Sequence, residues 1–451
     1  MIPTERRVTI ALASIMSMRM LGLFMIFPVF ALYAQDLPNV TPLLIGLAIG
    51  IYGFTQGILQ IPFGMLSDRI GRKPIIYFGL LVFAVGSIIA ALSTSIIGII
   101  IGRALQGGGA IASTALALTA DLTREENRTK AMAILGITIG LSFILALVVG
   151  PILYRWIDVP GIFWLTALFA LVGIVILYYA VPQPLICRSH GDRTPASAQF
   201  KEVLQDTQLL RLDIGIFILH LMLTSMFVVL PIALVDGGMD VAHHWQIYVS
   251  VLIASFVAMV PLIIYAEKYR HIKLVFVSAI AILGLSLVGL IYLYHSVTGI
   301  IIMLFLFFTA FNLLEATLPS LISKLAPTKS KGTAMGVYSS SQFFGAFWGG
   351  IGGGGLHQYY GMGAVFAFCA ILGVIWFILA ATMRSPIYLS SHLLKIKPVD
   401  KEKANHLTQC LMQVPGVAEV VVIIEEGVAY LKVDRKVLDM AALDRCAEVC
   451  C

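Results

Sequence analysis

Apolar residues in this 451-residue chain come in blocks of membrane length separated by short polar breaks. A membrane-crossing helix needs about 20 apolar residues in a row. Twelve stretches meet that length: 8–33, 43–66, 75–93, 96–121, 131–153, 161–181, 209–232, 245–265, 274–294, 298–322, 332–356 and 363–383. A polar stretch with Pro184, Pro195 and several charges divides them six and six. The pattern therefore predicts an N-terminal six-helix bundle (1–182), a linker (183–208) carrying an amphipathic helix over 196–204, and a second six-helix bundle (209–384). Beyond residue 385 the periodicity changes. It reads as a strand at 393–397, a helix at 401–413, a strand at 417–424, a turn at Glu425-Glu426-Gly427, a strand at 428–433 and a helix at 437–449. The expected architecture is an all-α membrane protein of two pseudo-repeated six-helix bundles, with a small α+β domain of β-α-β-β-α order over 392–451.

Composition agrees: 59% of residues are hydrophobic and 12% charged, far from the soluble class. The first seven residues are too short and polar for a cleavable signal, so the first span is expected to stay in place. The formal charge of +6 is unevenly spread. Arg6 and Arg7 precede the first span. Alternate loops then carry Arg69, Arg72 and Lys73; Arg124, Arg128 and Lys130; Arg188, Arg193 and Lys201; Lys268, Arg270 and Lys273; and Lys324, Lys329 and Lys331. The opposite loops offer little beyond Arg155. This bias puts both termini in the cytoplasm and explains the positive charge without a nucleic-acid partner. The six cysteines fall in a span, a cytoplasmic loop or the tail, where no disulfide is expected. Cys446, Cys450 and Cys451 lack a histidine at ligand spacing, so no metal site is assigned.

The most informative break is Gly64-Met65-Leu66-Ser67-Asp68-Arg69-Ile70-Gly71-Arg72-Lys73. It reads as a polar hinge of about eight residues, with Gly64 permitting close helix contact and Gly71 a sharp reversal. Topology signalling alone would explain Arg69, Arg72 and Lys73 but not Asp68 or either glycine. The ordered pattern G-x-x-x-D-R-x-G-R-K resembles the loop between helices 2 and 3 of the major facilitator superfamily. In the fourth span, Arg103-Ala104-Leu105-Gln106-Gly107-Gly108-Gly109-Ala110 resembles the R-x-x-Q-G-x-G-A motif of proton-coupled facilitators. Gly150-Pro151 matches only the end of the antiporter motif, since Ala146 stands where a glycine is expected. Glu267 to His271 and Lys331 to Gly336 echo the first-half loops, as repeated halves would. The tail, with its Val414-Pro415-Gly416-Val417 turn, resembles a ferredoxin-like heavy-metal-associated module. Pro398-Val399-Asp400-Lys401 replaces the C-x-x-C of that module.

These resemblances imply a secondary transporter of a bacterial inner membrane rather than an enzyme, using alternating access and a proton gradient, with no other cofactor. Asp68 is expected to pair with Arg72, and Asp121 to attract Arg72 from the other side. Together with Gly64, Arg69, Gly71 and Lys73 they would form a lock on the cytoplasmic side.

Charged or titratable side chains well inside a span are Arg19, Arg103, Asp213, His220 and Glu315. Each falls in span 1, 4, 7 or 10, the helices that line the facilitator cavity. An intramembrane charge costs at least about 2.5 kcal/mol unless it faces water or a partner. Arg19, His220 and Glu315 lie near their span midpoints and are expected to reach one cavity. Glu315 is the first candidate proton carrier and His220 the second, with Arg19 and Arg103 beside them. A static Arg19–Glu315 ion pair is the structural alternative. Asp213 reads as interfacial. Gln56, Gln60, Gln106, Asn312, Tyr338, Gln342 and Trp348 are further cavity candidates, in a setting made apolar by Phe24, Phe27, Met226, Phe227, Phe308 and Phe311.

The reading that follows is proton-coupled efflux of small amphipathic compounds. Alternatives are a proton symporter or uniporter for a polar metabolite, which would need more polar groups in the cavity, and a sensor acting through its tail. The partners expected are a small-molecule substrate, protons and membrane lipid. The acidic tail is expected to dock on the basic loops or to self-associate.

Overall fold

The computed structural model describes residues 1–183, 196–326, 330–383, 390–395, 401–423, 428–433 and 438–449. It divides into two compact units, Met1–Met383 and Arg384–Cys451. The Lys329 part of a basic loop, residues 184–195 of the linker with Arg188 and Arg193, the Glu425–Gly427 turn, Asp400, Cys450 and Cys451 lie outside the described residues.

The first unit is helical throughout: α1 (Pro3–Phe24), α2 (Phe30–Gln35), α3 (Pro42–Ile70), α4 (Arg72–Leu92), α5 (Ile96–Gly108), α6 (Ala112–Asp121), α7 (Glu125–Ala180), α8 (Ala196–Gln205), α9 (Thr207–Asp236), α10 (His244–Lys268), α11 (Ile272–Leu293), α12 (Val297–Leu325), α13 (Lys331–Tyr360) and α14 (Met362–Ala381). Ten apolar stretches among these are long enough to cross a membrane. One of them is α7, whose backbone breaks at Asp158 (φ 57°, ψ −178°) and so supplies two crossings. The glycine-rich α13 has the length of a crossing but a lower hydropathy. The helices thus supply the twelve crossings expected.

Three of the expected elements are built differently. Span 1 is discontinuous: α1 stops at Phe24, Met25–Val29 turn around Pro28, and α2 resumes. A proline removes a backbone donor and clashes with the preceding turn, which accounts for the break. Span 4 likewise breaks between α5 and α6, where the Gly107-Gly108-Gly109 run weakens the helix. The eight-residue hinge shrinks to one residue. Helix α3 runs on through Asp68 to Ile70, and Gly71 alone (φ 100°) makes the turn into α4. Only glycine tolerates that φ without strain.

The halves meet along α3 and α13. Gly46, Gly50, Gly53 and Gly57 recur at helical spacing on α3, and at the first three the facing backbone approaches so closely that no side chain fits. A Cβ on Gly46 would collide with the Gly350 carbonyl, and one on Gly50 would lie 2.8 Å from the Phe347 oxygen. Ser340 donates to the Gly57 carbonyl (3.1 Å), and the Leu43 amide donates to Gln358 Oε1 (3.3 Å). These contacts occupy the half of the bundle nearest Thr41. Towards the Asp68 end the helices part: a Cβ on Gly332 or Gly336 of α13, or on Gly136 or Gly140 of α7, meets nothing within 4 Å. The space between the halves opens towards the Asp68 end.

The second unit has strands β1 (Ser390–Lys395), β2 (Val417–Ile423) and β3 (Val428–Val433) in the order β1-β3-β2, both pairs antiparallel, with helices α15 (Lys401–Met412) and α16 (Met440–Val449). Leu407, Leu411, Val420, Ala429, Leu431 and Leu443 form its core. Gly416 takes φ 90° in the turn singled out from the sequence. The expectation of no disulfide fails: Cys410 of α15 and Cys446 of α16 are joined, with Cα atoms 5.9 Å apart. The expectation rested on compartment chemistry, which does not register that the two helices pack side by side.

Candidate functional site

The second half gathers its polar groups into one cluster. Gln342 of α13 donates from Nε2 to Glu315 Oε1 of α12 (3.2 Å) and lies 2.8 Å from His220 Nε2 of α9. His220 Nε2 is 3.8 Å from Glu315 Oε2. With the amide donating to the ring, His220 accepts at Nε2 and keeps its own proton on Nδ1. Glu315 is the more exposed member, its side chain 38% exposed against 9% for His220, while its Oε2 is buried and accepts no hydrogen bond. The cluster can therefore take a proton at the carboxylate and hold it beside a second proton-accepting group.

Directly towards the Thr41 end lies an aromatic layer. Phe311 stacks on Phe143 (6.0 Å between centroids) and tilts against His220 (5.9 Å). Phe143 meets Phe24 edge-on (4.8 Å), Phe24 meets Phe27, and Phe27 reaches Phe227 of the other half (5.7 Å). Phe27, Met226, Phe227, Phe308 and Phe311 are buried. These residues, expected to line the cavity, close it instead: apolar rings at a meeting of two halves gain more from each other than from water. Trp348 stands apart, 53% exposed and packed on Phe347.

The first half holds two buried guanidiniums, Arg19 and Arg103, and among the described residues no acid pairs with either. Arg103 has an acceptor at each of its three nitrogens, donating from Nε to Ala48 O (3.3 Å), from Nη2 to Ile49 O (3.3 Å) and from Nη1 to Gln106 Oε1 (2.9 Å). Gln106 passes the chain on to Ser87 (2.8 Å). Arg19 donates from Nη2 to Gln56 Oε1 (2.5 Å), and Gln56 donates to Gln60 (3.1 Å). Both cations lie over the Tyr52 ring, at 5.1 Å for Arg103 and 5.9 Å for Arg19. Gln56, Gln60 and Gln106 are buried in helix contacts and do not face an open cavity. Asn312 likewise bonds Ser255 of α10 (3.2 Å).

These placements correct the sequence reading, including its alternative of an Arg19–Glu315 ion pair. Among the described residues, Arg19 and Glu315 are not paired; each finds its partners within its own half. A single cavity holding Arg19, His220 and Glu315 does not form either, because Arg19 is only 2% exposed. Asp213 is also not interfacial but buried, at 4% exposure, as is Tyr338.

At the Asp68 end, Arg72 joins Asp68 (2.5 Å), Asp121 (3.2 Å) and Ser67 Oγ (2.6 Å), tying α3, α4 and α6 together. Lys73 donates to the Val181 carbonyl (2.7 Å), and a Cβ on Gly64 would lie 3.4 Å from Ser113 Oγ. Arg69 is exposed at the last turn of α3. A partner missed from the sequence is Glu5, buried at 3% exposure. It accepts from the Arg124 backbone N–H (3.0 Å) and Nε (2.9 Å) and from Asn127 Nδ2 (3.0 Å), capping α7 and tying it to α1. Its signal was an acid beside Arg6 and Arg7, where cations alone were being counted.

A family model described as Major Facilitator Superfamily matches residues 12–350 and 212–409, and one described as the YajR YAM domain matches 394–447. The chain is similar to the inner membrane transport protein YajR of Escherichia coli, 46% identical over 99% of this chain and 98% of that protein. It is also similar to the multidrug resistance protein MdtH of Aeromonas salmonicida, 26% identical over 75% of this chain and 85% of that one. Among solved structures, the nucleoside transporter NupG shares the fold, with a TM-score of 0.68 and 14% identity, over 84% of this chain and 99% of that one.

Proposed function

Because this chain belongs to the major facilitator superfamily, and so is a multi-pass membrane transporter rather than an enzyme, we propose that it exports small amphipathic compounds in exchange for protons. Alternating access is the mechanism, with the Asp68 end in the cytoplasm as the distribution of lysine and arginine indicates. The observation that carries this reading is the Glu315–Gln342–His220 cluster. It lies at the inner limit of the space open towards the Asp68 end, with a part-exposed Glu315 side chain whose Oε2 accepts no hydrogen bond, and an aromatic layer on the other side. Protonation of Glu315 removes a charge from the middle of the bundle. That lowers the desolvation cost of closing the halves over it, which is how a proton can bias a two-state equilibrium.

The aromatic rings that close the centre offer apolar contact to a ligand when the halves part, which suits lipophilic compounds better than a sugar or polar nutrient and favours export over nutrient symport. The similarity to a protein named for multidrug resistance points the same way. In this reading the Asp68–Arg72–Asp121 network forms one side of the cytoplasmic lock. Proteoliposomes with an imposed pH gradient, assayed against a panel of lipophilic dyes, test the proposal. Dye movement opposite to the proton gradient and abolished by a protonophore is expected. Movement in the same direction as protons, or indifference to the gradient, would overturn it.

A further inference from the structure

The two buried guanidiniums of the first half share the ring of Tyr52 but differ in what the protein gives them. Every nitrogen of Arg103 has an acceptor. Arg19 has one, the Gln56 amide oxygen; its Nε and Nη1 are buried without any acceptor, and so is the Tyr52 hydroxyl. Phe83 covers the guanidinium at 5.5 Å, which adds attraction but no hydrogen bond. Arg19 cannot shed its charge by losing a proton as a lysine could, and a buried cation without a counter-charge is strongly unfavourable. Among the described residues no carboxylate pairs with it. Its fixed partners also orient it: Gln60 holds the Gln56 amide so that its oxygen faces Arg19.

We propose that Arg19 and the Tyr52 hydroxyl recognise the anionic group of the transported compound, so that the preferred substrates are amphipathic monoanions, carboxylates above all. The free N–H groups of Arg19 match carboxylate oxygens, and the tyrosine adds a third donor. Arg19 is only 2% exposed while the helices around it are closed, so the anion reaches it in the state of the transport cycle in which those helices part. Arg103, already satisfied, takes no part. This inference rests on the transporter reading, but anion preference and proton coupling are separate properties.

The test is calorimetric binding to the full-length chain in detergent micelles without any gradient, using three probes of one shape: 3-phenylpropionate, its amide, and the corresponding primary ammonium. Wild-type protein is expected to bind the carboxylate at least about tenfold more tightly than the amide, the scale of a charge-assisted hydrogen bond. Arg19→Gln should remove that preference, and Tyr52→Phe should reduce it. The wild-type ranking stands even where a variant folds poorly. Equal binding of amide or ammonium, absence of carboxylate binding, or a preference that persists in Arg19→Gln would each overturn the proposal. None of these results would bear on whether a pH gradient drives transport.

Discussion

The two halves of the bundle repeat one helical plan but divide the polar chemistry between them. The first half carries two buried cations, Arg19 and Arg103, with amide and carbonyl partners only. The second carries a carboxylate and an imidazole joined through Gln342. Opposite charges on either side of a central space would ordinarily pair, and that pair would glue the halves together. Here each charge is held by neutral amides of its own half. Amide partners orient a charge without neutralising it, so the electrostatic attraction between halves stays available to a proton or a ligand. The difference teaches that Arg103 and Arg19, equivalent by composition, are unlike in role: one is a finished internal joint and the other an open recognition group.

The sharpest way to break the comparison is through the helix contact that holds the halves together. Gly350→Leu places a side chain into the backbone of α3. Overpacking of this kind costs on the order of 1–3 kcal/mol, so the population should shift by roughly 5- to 150-fold away from the state joined at the Thr41 end. Spin-label distances across Thr41 and Gln358 should lengthen; unchanged distances would mean that contact does not hold the state.

Next in size is the distinction between the arginines. Arg103→Ala deletes three hydrogen bonds, two of which tie α5 to α3, and should lower stability by on the order of 2 kcal/mol in thermal denaturation. Arg19→Ala deletes one bond and relieves an unpaired buried charge, so it should leave the melting midpoint nearly unchanged. Equal destabilisation would erase the contrast.

The smallest effect is expected at the lock. Asp68 and Asp121 are 41% and 43% exposed, and pairs of that kind contribute roughly 0.2–1 kcal/mol. The pairs are formed while α3 and α13 stand apart at that end, so they do not by themselves close it. Asp68→Asn should then change the inward–outward ratio only a few-fold, read by distances between labels at the Asp68 end. A complete loss of one state would show the network to be the main lock.

Much of this molecule is legible in its sequence because membrane crossing imposes a length and a composition that few other structures share. Charges inside such segments announce themselves, which is how Arg19, Arg103, His220 and Glu315 were found. Partner choice is not legible. Whether Arg19 meets Glu315 or Gln56 depends on which faces of α1, α3 and α12 turn inward, and on which state is populated. The aromatic residues expected to line the cavity pack on one another and seal it instead, since the same rings serve either purpose. Glu5 was hidden because its partner Arg124 is 119 positions away. The Cys410–Cys446 link depends on the packing of two helices 36 residues apart, which the motifs do not encode.

The central claim is that the proton is carried by the second half, at Glu315. The most direct measurement compares wild type with Glu315→Gln in proteoliposomes, recording pH-gradient-driven dye transport and gradient-free dye exchange on the same preparation. The account predicts that driven transport falls to background while exchange stays within a few-fold of wild type, since the amide keeps the shape of the site and cannot carry the proton. Driven transport that survives the substitution at a wild-type rate would contradict it.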